Sequence, residues 1–388
     1  MTHVLTLNSG SSSLKFGLFE GGSALATGFV GGIGAQATLN LEGGGTDLRN
    51  VGLADVADHG SALNAALHLL TDRFPDADVR AVGHRVVHGG MEFSDPVPVD
   101  SATLVRLAAL EPFAPLHQPH NLAGIRAAMA AFPQALQVAC FDTAFHRTHP
   151  FVNDTFALPR EYYAKGVRRY GFHGLSYHYI EGELKRIAPH LHDGRVVVAH
   201  LGNGASMCAM LNGRSVASTM GFSALDGLPM GTRSGQLDPG VVLYLMQQEG
   251  MNAEQISDLL YRRSGLLGLS GLSSDMRTLE AADTHGAREA IEYFVFRIRR
   301  ELGAMAAVLQ GLDAVVFTGG IGENSRHIRA QVCAGMAWIG IEIDATRNAE
   351  NATVISTEFG RVRVLMIPTN EELVIARAAA GLLAASGC

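Results

Sequence analysis

The sequence predicts an α/β protein of two domains, and three observations carry that expectation. Short runs that are apolar nearly throughout, each closed by Gly, Asn or Asp, alternate with stretches of helical periodicity. The chain has 388 residues, more than one ordinary core holds. One layout, strand, polar glycine turn, strand, occurs twice: in "LTLNSGSSSLKFGLF" (5–19) and in "VVVAHLGNGASMCAML" (196–211).

The expected strands are Val4–Leu7, Val79–Val87, Leu136–Phe141, Val196–Leu201, Ala314–Thr318 and Val362–Ile367. Continuous apolar character suits central strands covered on both faces. Between them, Ser61 is placed to N-cap a helix over 62–74. A long amphipathic helix is expected over 287–312, with its stop at Gly311. Residues 147–170 read as an irregular link. Two copies of one unit, each opening with a turn able to hold phosphate, would place a nucleotide between them.

Composition narrows the function. The chain is 47% hydrophobic and 17% charged, as a globular protein is. A formal charge of −7 and the absence of any Lys/Arg block argue against a nucleic-acid partner. The four cysteines, Cys140, Cys208, Cys333 and Cys388, lie far apart, which argues against a zinc site or disulfide framework and suits a reducing cytoplasm. No signal peptide and no apolar run of about 18 residues is read, so no membrane partner is expected.

Several motifs carry chemistry. In Asn8-Ser9-Gly10-Ser11-Ser12-Ser13-Leu14-Lys15, small residues let backbone N–H groups converge on an anion, and Lys15 adds charge. The same residues also fit a plain serine-rich hairpin turn. This is not a Walker loop, since Gly-x₄-Gly-Lys-Ser/Thr is absent. Two glycine loops follow strands directly: His200-Leu201-Gly202-Asn203-Gly204 and Gly319-Gly320-Ile321-Gly322-Glu323-Asn324. Strand ends are where phosphate and adenosine contacts are expected. Neither loop is a dinucleotide fingerprint. Arg85 in "GHRVVHGG" and Arg233 in "GLPMGTRSGQLDPG" sit among apolar and small residues, where a guanidinium needs a partner. A structural salt bridge would serve; so would a substrate carboxylate or phosphoryl group, whose geometry the guanidinium fork matches. Asp142 ends an apolar strand, and His173 in "YGFHG" is a possible donor to a phosphoryl oxygen or a structural histidine. Glu371, in "PTNEE" before the last helix, fits helix capping or a metal.

At these motifs the chain resembles the acetate kinases. The matches run in order from "LNSGSSSLKF" through "GHRVVHGG", "PLHQPHN", "FDTAFH", "YGFHGLSYHYI", "HLGNGAS", "STMGFSALDGLPMGTRSGQLDPG", "SSDMR" and "FTGGIGENS" to "IPTNEELVIARAA", covering nearly the whole chain. The resemblance implies two ribonuclease H-like domains of the acetate and sugar kinase, chaperone ATPase and actin superfamily. The first would comprise 1–146 plus 373–388 and the second, nucleotide-binding one 147–372.

It implies reversible transfer of the ATP γ-phosphoryl group to acetate, giving acetyl phosphate and ADP, with Mg²⁺ or Mn²⁺ as cofactor and a homodimer as the assembly. No long apolar surface stripe stands out in the residues to show that dimer. By position, Asn8 and Glu371 resemble the metal site, and Arg85, Val87, Leu116 and Phe172 the acetate site. Asp142, His173 and Arg233 resemble the catalytic set. The ATP contacts would be Lys15, His200, Leu201, Gly202, Asn203, Gly204, Asp275, Met276, Arg277, Gly319, Gly320, Ile321, Gly322 and Glu323. One departure is Ala224, where the family often has proline; a smaller residue loosens the pocket toward propionate, while Val87 argues the other way. Two rivals follow: a kinase of a longer acid, and an ATP-driven conformational module with no small-molecule acceptor.

Overall fold

The computed structural model describes residues 2–10, 13–45 and 47–386. Ser11 and Ser12 of the first motif and Cys388 lie outside the described residues. The chain divides into two compact units, Met1–Phe145 with Asn370–Cys388, and His146–Thr369.

In the first unit, strands β1 (His3–Ser9), β2 (Ser13–Glu20), β3 (Ser23–Gly31), β4 (Thr38–Gly43), β5 (Leu48–Gly52), β6 (Val79–Val86), β7 (Val97–Pro98) and β8 (Leu136–Phe141) form one sheet in the order β5-β4-β3-β2-β1-β6-β8-β7. β1 runs antiparallel to β2 and parallel to β6, and β6 runs parallel to β8. The second unit holds β9 (Arg195–Leu201), β10 (Ala205–Leu211), β11 (Arg214–Ser218), β12 (Ala314–Thr318) and β13 (Arg363–Met366), in the order β11-β10-β9-β12-β13. Its pairings repeat the pattern: β9 antiparallel to β10, parallel to β12, and β12 parallel to β13. The five strands β3-β2-β1-β6-β8 therefore have the topology of β11-β10-β9-β12-β13. The two turns paired in the sequence each join the first and second strands of such a set.

Alternation along β6 shows how the first sheet is covered. Val82 joins Leu5, Phe16, Ala62, Ala66 and Ala128 in a core beneath the helices His59–Arg73 and Gln118–Ala131. Gly83 points to the other face, where a Cβ would stand 2.5 Å from Ile375 Cγ2 of the C-terminal helix Glu371–Ala385. Glycine there lets that helix lie against the strand. A side core of Val86, Phe93, Leu107, Leu122, Ile125 and Phe141 includes stacked Phe93 and Phe141 rings 5.1 Å apart. Each such large side chain contributes about 1.5–3 kcal/mol on burial.

Helix ends depart from the sequence expectation in informative ways. Asp58, not Ser61, caps His59–Arg73: its Oδ1 accepts from Ser61 N at 2.8 Å, and Ser61 Oγ accepts from Asp58 N at 3.0 Å. Ser61 is the third helical residue of a reciprocal box, so the helix begins earlier. The long helix is His285–Val308, capped by Thr284. Its end is a double turn in which Gln310 N donates to Ala307 O and Gly311 N to Ala306 O. Gln310, with φ 57°, takes the left-handed position expected of Gly311. The stretch 147–170 contains short helices Phe151–Asp154 and Arg160–Ala164, tied together as Asp154 accepts from Tyr163 Oη at 2.7 Å and Arg168 Nη1 at 3.2 Å. The run after β12 is a short helix, Gly319–Asn324, rather than a loop. Gly319 makes this possible: at φ 76°, a Cβ would stand 2.8 Å from the Leu201 carbonyl oxygen.

Burial disfavours the charged form of two histidines, His84 and His146. Burial pushes His84 down to about 4, against a smaller opposing effect of its hydrogen bond to Gln137. Burial, then neighbouring His149, pushes His146 down to about 3. Both folded values lie below the unfolded value, so between about pH 4 and 6.5 the unfolded chain binds more protons. Their contribution is therefore present above about pH 6.5 and is lost on acidification, at about 2 kcal/mol per histidine from pH 7 to 5. Urea unfolding at the two pH values should show this loss, and His84→Gln should remove one proton from the slope. An unchanged slope in that variant would mean that His84 is charged in the fold.

Candidate active site

Three parallel strands of the first unit end side by side, and their last residues converge. Register pairs Arg85 with Cys140 and Leu7 with His84, so Asp142 and Asn8, each just beyond its partner, flank Arg85. Asp142 N donates to Val86 O at 3.0 Å, continuing the ladder. The ends of parallel strands are where open α/β sheets hold ligands. Asp142, 1% exposed, accepts from Arg85 Nε at 3.1 Å to each oxygen and from Nη2 at 2.6 Å. Arg85 Nη1 donates to Asn8 Oδ1 at 3.2 Å. Burial alone would lower the Arg85 pKa; Asp142 first, then Glu371, turn the result into a rise.

Glu371 stands in the first turn of the last helix, whose cap is Asn370, accepting from Leu373 N at 2.9 Å. Burial raises the Glu371 pKa, Arg85 and Lys15 oppose that, and neighbouring Glu372 adds to it. Lys15 pairs with Asn8 across the β1–β2 hairpin. Two residues of "PLHQPHN" that the sequence reading left without a role hold these strand ends. Asn121 accepts from Val87 N at 3.0 Å and donates to Ser9 O at 2.7 Å. Gln118 accepts from His88 N at 3.2 Å and donates to His88 O at 3.1 Å. Both amides are buried and satisfied by backbone groups far away in the sequence, so no local pattern signals them. Val87 is buried and Leu116 half-buried in the same unit.

In the second unit, β9 and β12 are parallel and end at the two glycine segments. A cavity of about 770 Å³ is lined there by Gly202, Asn203, Asp275, Met276, Arg277, Gly320 and Ile321, and also by Glu280, Asn324 and Ser325. The other expected ATP contacts of this unit lie outside its lining. Glu323 Oε1 is engaged with the backbone, accepting from Gly319 N at 2.9 Å and Thr369 N at 3.0 Å. Fully buried Arg329 donates to the carbonyls of Gly322 and Glu323, bracing the same short helix from its other end. Asp275 caps the helix Met276–Ala281 and pairs with Arg277, whose hydrogen bond is the first cause lowering the Asp275 pKa.

His173 has φ 58° and is the cap of the helix Gly174–Ile187. A left-handed histidine costs roughly 1–2 kcal/mol and needs surroundings that hold it. Its ring stacks on His200, with centroids 4.3 Å apart. A Cβ on Gly204 would stand 3.1 Å from His173 Nε2, so the histidine borders the first glycine loop. Arg233 donates through Nη1 to Ala224 O at 3.0 Å. Position 224 thus meets the arginine through its backbone. Phe172 is buried, and its carbonyl accepts from His146 Nε2 at 2.9 Å.

Two sheets of matching strand order, with helices and a nucleotide-sized cavity at parallel strand ends, define a two-domain ribonuclease H-like protein of the acetate and sugar kinase, chaperone ATPase and actin superfamily. The chain belongs to the Acetokinase family, whose profile matches residues 3–377. It is 60% identical over 394 aligned positions to a curated protein named acetate kinase from Methylocella silvestris, covering 98% of each chain. It is 51% identical to another from Nitrobacter hamburgensis, over 99% of this chain and 96% of that one. Among solved structures, it matches an acetate kinase of Porphyromonas gingivalis with TM-score 0.88 and 39% identity, covering 99% of this chain and 100% of that one. It also matches a propionate kinase of Francisella tularensis with TM-score 0.90 and 36% identity, covering 98% of this chain and 100% of that one.

The Arg85–Asp142 pair is the most buried ion pair around these groups. Removing its acid leaves a guanidinium only 20% exposed without its bidentate partner. Asp142→Ala should lower the stability of the first unit by roughly 3–5 kcal/mol. Parent-like urea unfolding of that variant would contradict this account of the pair.

Proposed function

We propose that the chain is an acetate kinase, transferring the γ-phosphoryl group of ATP to acetate reversibly to give acetyl phosphate and ADP. The observation that carries the reading is Arg85, a guanidinium whose direction is set by Asp142 and Asn8 at the end of three parallel strands. An actin-like conformational module has no use for such a carboxylate clamp. Arg85 binds the acetate carboxylate and aims one oxygen at the γ-phosphorus, while Val87, Leu116 and Phe172 contact the methyl group. That oxygen forms a bond to phosphorus as the bond from phosphorus to the β–γ bridging oxygen breaks, and ADP leaves with the electron pair. Acetate is ionised at neutral pH, so no base is required, and Asp142 serves to hold Arg85.

Arg233 and His173 stabilise the equatorial oxygens of the transferring group; most of the acceleration is positioning and electrostatics. Lys15, His200–Gly204, Asp275–Arg277 and Gly319–Glu323 bind ATP or shape its site. Asn8 and Glu371 would hold Mg²⁺, or Mn²⁺ in its place. The donors fit, being a hard amide oxygen with a second lone pair beyond its bond to Arg85, and a carboxylate beside a second one, Glu372. Such an ion, when bound, neutralises phosphate charge and keeps several waters.

A homodimer is part of the proposal. None of the nine residues of the helix Pro239–Gln247 is buried, although Val241, Leu243, Tyr244 and Met246 are 40–54% exposed apolar side chains. Such a surface suits a second copy. Sedimentation should give twice the 41.1 kDa chain mass, falling to the single-chain value in Leu243→Glu. A monomeric parent protein would exclude the dimer.

Acyl phosphate trapped by hydroxylamine, with ATP, Mg²⁺ and acetate, propionate or butyrate, tests the activity. Signal with acetate that fades as the acid lengthens is expected, one methylene being worth about 1–3 kcal/mol. Arg233→Ala should cut kcat about a hundredfold or more while ATP still binds. ATP consumption with no acyl phosphate from any acid would replace the kinase with the ATPase-module reading.

A further inference from the structure

Two motifs of the second unit are laced together by contacts in which Ser176, Tyr177 and Ser206 have no role in the reaction above. Within "YGFHGLSYHYI", His173 and Tyr177 stand four residues apart at the start of one helix and so share a face. Within "HLGNGAS", His200 and Ser206 are direct partners across the β9–β10 hairpin, so their side chains share a face as well. The two faces meet in crossed pairs. Ser206 Oγ lies 2.8 Å from His173 Nδ1, and Ser176 Oγ lies 2.8 Å from His200 Nδ1. Tyr177 Oη completes the first pair, 2.5 Å from Ser206 Oγ. Ser206 and Tyr177 are both 0% exposed, so their contact is shut off from bulk solvent.

We propose that Tyr177 and Ser206 are positioning residues that hold His173 as its Nε2–H tautomer, with the Nε2 proton turned toward the first glycine loop. The proposal rests on the reading of His173 as a donor to the transferring phosphoryl group. Polarity follows from the chemistry of the two hydroxyls. The phenol is the more acidic and the better donor, and the aliphatic hydroxyl is the better acceptor. Burial raises the Tyr177 pKa further, so the phenol keeps its proton. Tyr177 therefore donates to Ser206, the single Ser206 proton goes to His173 Nδ1, and Nδ1 is the lone-pair nitrogen. The ring's remaining proton is on Nε2, the atom that borders Gly204. The opposite tautomer would turn a lone pair toward an anionic group and repel it.

The relay needs Ser206 to be both acceptor and donor, which alanine and phenylalanine substitutions separate. In ¹⁵N-histidine protein, the His173 signals, assigned by their loss in His173→Asn, should show an unprotonated Nδ1 and a protonated Nε2. Tyr177→Phe and Ser206→Ala should each lower kcat about tenfold with KM for both substrates within about twofold. Tyr177→Phe should cost nothing further in the His173→Asn background, because its effect passes through that ring. A proton on Nδ1 overturns the proposal, and so does a Tyr177→Phe effect that adds fully to that of His173→Asn, which is what a merely structural role would give. Native kcat in His173→Asn would instead sink the role of His173 in transfer, while the nitrogen shifts still decide the tautomer.

Discussion

The contact between Arg85 and Asp142 is the constraint on which the first unit's site depends. A guanidinium this deep is tolerable only against a carboxylate, and the carboxylate is there because β6 and β8 run parallel in a register that ends both strands at one level. The same register brings Asn8 to the remaining nitrogen. Asn121 and Gln118 then tie the chain just beyond these strand ends. The bidentate geometry leaves Arg85 little rotational freedom, so its guanidinium fork is oriented before any anion arrives.

The second unit solves a parallel problem with hydroxyl, imidazole and backbone groups braced by Glu323 and Arg329. Its five strands repeat the order of β3-β2-β1-β6-β8, but the ends of β9 and β12 carry glycine segments, where backbone can approach a phosphate chain. Precision comes from the crossed hydroxyl–imidazole pairs that lock His173 against His200, and from Glu323 and Arg329, which brace the short helix after β12. A left-handed histidine at a helix start is strained, and these contacts are what hold it.

What could be read from the residues follows from how local each signal is. β8 and β12 are bounded as expected because a wholly apolar run between turn residues has few other uses in an α/β protein. The repeat was visible because the same turn chemistry recurs in both hairpins. Helix ends were misread where two residues compete for one role. Asp58 and Ser61 both suit a cap, and Gln310 occupies the left-handed site that neighbouring Gly311 would have taken more cheaply. The glycine run 319–324 reads as loop by propensity, yet tertiary support makes it a helix turn. The sequence Pro239–Gln247 is apolar nearly all round, a pattern that suits a core helix, yet in the fold none of its residues is buried. The roles proposed for individual site residues come from family likeness far more than from spacing. Ser206, Tyr177, Asn121 and Gln118 act through partners distant in sequence, and spacing carries no trace of them.

The central claim is a single direct displacement at phosphorus, with acetate aligned by Arg85 and no phosphorylated protein group between donor and acceptor. The stereochemistry of transfer tests this most directly. ATP made chiral at the γ-phosphorus with oxygen isotopes would be reacted with acetate, and the configuration of the acetyl phosphate product determined. One in-line step predicts inversion. Retention would mean two successive displacements through a protein-bound phosphoryl group, and would contradict the account.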